Sequence, residues 1–140
     1  MKTIVLALDG SEGSRRAIPV AISEAKRSDA RIVIAHVEER IAAKGDMPTV
    51  RADEDAIVKR IEAEAEEISK AGVDASVERA TVVLGGPAHA IAEIADETDA
   101  EMIVVGTRGH SPVSGLLLGS VATRLLHVAK RPVLAVPPSA

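Results

Sequence analysis

Apolar residues gather into five short runs along the chain: Thr3–Leu8, Arg31–Val37, Ala75–Val83, Met102–Thr107 and Val133–Val136. Most are rich in Val and Ile and nearly continuous, the pattern of parallel strands covered on both faces. Ser76, Glu78 and Thr81 interrupt Ala75–Val83, which is therefore predicted at a sheet edge. Between the runs the period lengthens to that of helices. Ser14–Ser28 carries Ala17, Ile18, Ala21, Ile22 and Ala25 on one stripe, with Pro19 early enough to kink the helix or delay its start. Asp53–Ala71 aligns Ile57, Ile61 and Ile68 and is stopped by Gly72. Its Lys59, Glu62, Glu66 and Glu67 read as a solvated face. Ala88–Thr98 follows Pro87, a residue suited to a first helical position. Ser120–Ala129 uses Val121, Ala122, Leu125 and Ala129.

Strands and helices alternate from end to end, which predicts one doubly wound α/β domain over residues 1–140: a five-stranded parallel sheet with right-handed crossovers and helices on both faces. The one long connection, Glu38–Arg51, is polar, contains Gly45 and Pro48, and reads as a mobile loop or lid.

Composition narrows the function. The absence of Cys excludes disulfides, thiol chemistry and Cys-type zinc sites. A net charge of −4 argues against a dedicated nucleic-acid binder. The opening Met1–Val5 runs straight into a strand without a signal-peptide pattern, and no apolar run approaches the ~18 residues of a membrane span. A cytoplasmic protein that engages neither membrane nor nucleic acid is expected. There is no Phe, Tyr or Trp, so a bound base has no aromatic platform, and Arg planes or aliphatic clamps would have to substitute.

In open α/β sheets ligands bind beyond the carboxyl ends of the strands, where strand order reverses. The first strand is followed by Asp9-Gly10-Ser11-Glu12-Gly13. Asp9 there suits ribose hydroxyls or a cation; equally, Asp9 and Ser11 suit the start of the next helix. The fourth strand is followed by a glycine-punctuated stretch from Gly106 to Ser120 that contains Arg108, Gly109 and His110. Its glycines admit backbone N–H groups to an anion, and Gly119-Ser120 opens a helix whose N-terminus attracts phosphate.

Gly106, Gly109 and, nine residues on, Gly119-Ser120 match the G-2x-G-9x-G-[S/T] signature of nucleotide-binding universal stress proteins. Val5-Leu6-Ala7-Leu8-Asp9-Gly10-Ser11, Ala35-His36-Val37, Gly86-Pro87 and Pro132-Val133-Leu134-Ala135-Val136 resemble that family in the same order. The resemblance implies strand order 3-2-1-4-5 and a dimer. It also implies an adenine nucleotide, ATP or else ADP or AMP, with Mg²⁺ or Mn²⁺ accompanying a triphosphate. Ala7, Leu8 and Asp9 would line the nucleotide, with Asp9 toward the ribose. Val37 would offer backbone contacts to adenine, and the base would lie between aliphatic side chains such as Val37 and Val105. Val105, Gly106, Gly109, Gly119, Ser120 and Val121 would line the ribose and phosphates. Arg108 stands where relatives often have His, and His110 where they often have Lys or Arg; Arg108 is the expected phosphate contact.

The expected role is a stress-response regulator or sensor that binds an adenine nucleotide and hydrolyses ATP slowly at most. The alternatives are a nucleotide-independent dimeric interaction protein and a phosphate-transferring enzyme on the same fold. The sequence has no G-x-x-x-x-G-K-[ST], no G-x-G-x-x-G and no G-x-S-x-G, so no dedicated catalytic set is expected. His36 reads as strand-end packing, and His89 and His127 as helix-surface residues. The last strand, Val133–Val136, should form a sheet edge and pair with a second copy across a two-fold axis.

Overall fold

A computed structural model of the chain describes residues 1–41, 49–50, 54–82, 86–107 and 119–138. The strands are β1 (Lys2–Ala7), β2 (Ala30–Ile41), β3 (Thr49–Val50), β4 (Ala75–Val82), β5 (Met102–Gly106) and β6 (Val133–Val136). The helices are α1 (Glu12–Arg15), α2 (Ala17–Ser28), α3 (Glu54–Lys70), α4 (Pro87–Glu97) and α5 (Ser120–Val128). Five strands run parallel in spatial order β4-β2-β1-β5-β6, which is the expected 3-2-1-4-5 when they are counted along the chain. The broken run Ala75–Val82 lies at one edge and Val133–Val136 at the other.

Alternation within the strands separates two cores. Ile4, Leu6 and Leu8 of the first strand segment, with Ile32, Ile34 and Val104, face α2 and α3 through Ala17, Ile18, Ala21, Ile57, Ile61 and Ile68. Val5, Ala7, Val33, Ala35, Ile103 and Val105 face α4 and α5 through Ala88, Ile91, Ile94, Ala122 and Leu125. The apolar residues of the central strands thus point into a helix layer on one face or the other, which explains their near-continuous apolar runs.

One expectation is met and another needs correction. The first predicted helix is divided at Arg16 into α1 and α2. Pro19 explains the break: it has no N–H for the Arg15 carbonyl, and its ring would crowd that carbonyl in a continuous helix. The second concerns the long connection. β2 continues to Ile41, and Arg40 and Ile41 pair antiparallel with Val50 and Thr49. Residues 38–41 and 49–50 of the predicted loop are therefore strand; residues 42–48 and 51–53 lie outside the described residues. Pro87 opens α4 as expected, after Gly86 at φ 80°. Gly72, at φ 93°, follows the end of α3.

Candidate functional site

Pairing of β1 with β2 and β5 brings the carboxyl ends of three strands side by side. Leu8 N–H extends the ladder by donating to Ala35 O at 3.2 Å, and Thr107 N–H does the same to Val136 O at 3.0 Å. Just beyond them lie the β1–α1 turn and the start of α5.

The turn is closed by its own side chains. Asp9 Oδ1 accepts from Ser11 N–H at 2.9 Å and from the Ser11 hydroxyl. Ser11 is the N-cap of α1, its Oγ accepting from Ser14 N–H at 3.1 Å. Asp9 N–H donates to Ser14 Oγ at 3.3 Å. The helix-starting role considered for Asp9 and Ser11 is therefore present, and any ligand role for Asp9 is added to it.

Among the other predicted residues, Ala7, Val37, Val105 and Val121 all belong to the core on the α4–α5 side. Leu8 points the opposite way and is 3% exposed within the α2–α3 core, so only its backbone is placed to meet a ligand. Gly106 has a reason of its own to be glycine: a Cβ there would collide with the carbonyl oxygen of Gly13 in α1. Gly119 is the N-cap of α5, with an extended φ of −72° that other residues adopt as readily. Its N–H donates to the Thr107 carbonyl, which ties the start of α5 to the end of β5. Ser120 is exposed and Val121 half-buried at the first turn, where helix N–H groups lack intrahelical acceptors. Arg108, Gly109 and His110 lie outside the described residues.

Sequence reasoning passed over three polar groups. Thr107 is 6% exposed, and its Oγ1 is buried without a hydrogen-bond partner. It stands at the end of β5, between Gly106 and the Gly119 tie, where a bound group would satisfy it. The second is Glu54, 4% exposed, whose Oε1 lies 2.6 Å from Nε2 of the equally buried His36. His36 lies inside the longer β2 and serves as a polar partner, which corrects its reading as strand-end packing. Its Nδ1–H donates to Leu8 O at 3.3 Å. A carbonyl can only accept, so Nδ1 carries the proton that faces Leu8 O, and Nε2 is the ring nitrogen that meets Glu54. The third is Glu64, 1% exposed, with Arg15 at 3.6 Å and no hydrogen bond to either oxygen. Burial is the main cause that raises its carboxyl above the ordinary range; Arg15 and Arg60 pull it down, while Glu67 and Asp9 push it further up. A signal for two of these was available, because Glu54 and Glu64 fall on the Ile57-Ile61-Ile68 stripe. His89 and His127 are exposed helix residues, as read from the sequence.

A separate groove of about 320 Å³ lies between β4 and α4, lined by Glu78, Arg79, Thr81, His89, Glu93 and Glu97 among others. It is at the β4 edge of the sheet, with β2 and β1 between β4 and β5.

A parallel sheet whose order reverses at β1, with a capped turn beyond one central strand and a helix start beyond the next, defines a doubly wound α/β protein, a class in which ligands bind at the carboxyl edge of the sheet. The chain belongs to the universal stress protein family, whose profile matches residues 1–137. A universal stress protein of Thermus aquaticus is 37% identical over 139 residues, covering 96% of this chain and 98% of that one. A crystal structure of a universal stress protein family member from Burkholderia pseudomallei superposes with a TM-score of 0.78 at 27% identity, covering 98% of this chain and 96% of that one. A universal stress protein crystallised in complex with cAMP is 34% identical, with a TM-score of 0.68, covering 99% of this chain and 98% of that one.

Proposed function

We propose that this protein binds an adenine nucleotide, ATP foremost, between the β1–α1 turn and the N-terminus of α5, and that it acts as a nucleotide-responsive regulator in the cytoplasm. The observation that carries the reading is the start of α5 tied to the end of β5 beside the buried, unpartnered Thr107 hydroxyl. A helix N-terminus favours an anion, and a buried hydroxyl without a partner favours a polar ligand. The related protein in complex with cAMP supports the same ligand class.

In this reading the adenine lies against Val37 and Val105 and is recognised by main-chain groups. Ala7, Leu8 and Gly106 line the nucleoside through their backbone, and Asp9 faces the ribose. Arg108, Gly109, Gly119, Ser120 and Val121 receive the phosphates. Because Gly119 N–H is already engaged by Thr107, the phosphate donors are the next amides of α5. No group of three or more His, Asp or Glu that could hold a metal occurs among the described residues; Mg²⁺ or Mn²⁺ would arrive on the triphosphate. Hydrolysis of ATP, if any, is slow. No helix among the described residues is long and apolar enough to cross a membrane. Val133–Val136 is a half-buried edge strand, and a second copy of the chain pairs with it to form a homodimer.

The test is calorimetry of the ligand-free protein with ATP, ADP, AMP and cyclic AMP. Binding is expected in the parent. Gly119→Val, which crowds the first turn of α5, is expected to abolish it while leaving the circular dichroism spectrum intact. A parent silent toward all four nucleotides, or a Gly119→Val variant that binds like the parent, would contradict the assignment.

A further inference from the structure

One helix grips the β1–α1 turn along its length. Glu54, at the start of α3, orients the His36 ring through Nε2 at 2.6 Å, and the ring reaches Leu8 O through Nδ1 at 3.3 Å. Ile57 packs against Gly10, where a Cβ would come within 3.2 Å of its Cγ2. Arg60 Nη1–H donates to Gly10 O at 2.7 Å. The two carbonyls held in this way, Leu8 O and Gly10 O, stand on either side of Asp9.

Each belongs to a planar peptide unit whose N–H points the other way. The Leu8 carbonyl shares its plane with Asp9 N–H, which donates to Ser14 Oγ at 3.3 Å. The Gly10 carbonyl shares its plane with Ser11 N–H, which donates to Asp9 Oδ1 at 2.9 Å. Holding the two carbonyls therefore restrains the peptide that enters Asp9 and the Ser11 N–H to which the Asp9 carboxylate is bonded. Gly10 is at φ 82°, a conformation that favours glycine, and the hold from α3 adds to the contacts the turn makes within itself.

We propose that Arg60 and the Glu54-ordered His36 are positioning residues for the nucleotide site, clamping the Leu8–Asp9 and Gly10–Ser11 peptide units. This rests on the nucleotide reading above. Neither side chain need touch the ligand; they set the direction in which Asp9 meets it, and His36 also precedes Val37 on β2. A site held to the right geometry before binding spends less of its affinity on ordering.

Arg60 is exposed, so its replacement leaves the core intact. Arg60→Met retains the aliphatic stem and removes the donor. It is expected to weaken adenosine and AMP binding alike, by about tenfold, with the melting temperature changed by no more than a few degrees. In the ligand-free protein it should also move the Ser11 amide resonance. Arg60→Lys, which keeps one donor for Gly10 O, should recover most of both effects. Glu54→Gln, which removes the carboxylate from His36, should weaken adenosine binding by about threefold. The use of adenosine separates positioning from charge: a loss confined to AMP would mean that Arg60 contacts phosphate, and would overturn the proposal. So would an unmoved Ser11 amide in Arg60→Met, or parent-like binding of adenosine by that variant. A parent giving no heat with adenosine, AMP, cyclic AMP or ATP removes the nucleotide reading and this proposal together, whereas a binding parent with an equally binding Arg60→Met removes this proposal alone.

Discussion

Helices α3 and α4 cover opposite faces of the same sheet, yet they are built differently. α4 buries Ala88, Ala90, Ile91, Ile94 and Ala95, an unbroken apolar stripe. α3 buries Ile57, Ile61 and Ile68 with two carboxylates, Glu54 and Glu64, set among them. The α4–α5 face rests on packing, which has no direction and tolerates small shifts. The α2–α3 face holds directional contacts to His36 and Gly10, and an ion pair from Glu64 to Arg15, at the carboxyl end of the sheet. Buried polar groups generally cost stability unless fully paired. In α3 the two carboxylates carry this cost beside the turn that the same helix contacts.

The largest effect should come from breaking the apolar face. Leu125 is fully buried, and Leu125→Ala is expected to remove about 3 kcal/mol of stability, read by chemical denaturation, with little dependence on pH. Next is the close approach of α1 to β5. Gly106→Ala places a methyl group against the Gly13 carbonyl, and displacing that backbone should cost about 2 kcal/mol. It should also weaken nucleotide binding by shifting the turn that α1 follows. An unchanged denaturation midpoint would show that α1 moves freely.

The smallest effect has the opposite sign and sharpens the contrast. The Glu64 carboxyl is raised above its ordinary 4.5, chiefly by burial. A group that holds its proton more tightly in the folded chain contributes its stability fully below the unfolded value and loses it as pH rises through the folded value. At neutral pH the Glu64 charge therefore works against folding. Glu64→Met, of similar volume, is expected to gain about 1 kcal/mol at pH 7, and the gain should shrink as pH falls toward 4.5, the ordinary value. Denaturation midpoints across that range measure it; a gain independent of pH would place the cost elsewhere.

The layered architecture was legible in the sequence because it depends on periodicity. Continuous apolar runs alternating with helical stripes leave few alternatives to a doubly wound sheet, and Ser76, Glu78 and Thr81 marked the edge strand β4. The capped turn at Asp9 and Ser11 and the helix start at Gly119-Ser120 could also be read, since each depends on neighbours a few residues away. What the sequence could not supply were relations between residues far apart in the chain. The collision that requires glycine at position 106 involves Gly13; the hold on Gly10 comes from Arg60; the partner of His36 is Glu54. Local periodicity fixes which face a side chain occupies, but direction and distance between elements arise only when the helices dock on the sheet. The turn beside the candidate nucleotide site was therefore visible in the sequence, and the helix that holds it was decided by the tertiary structure.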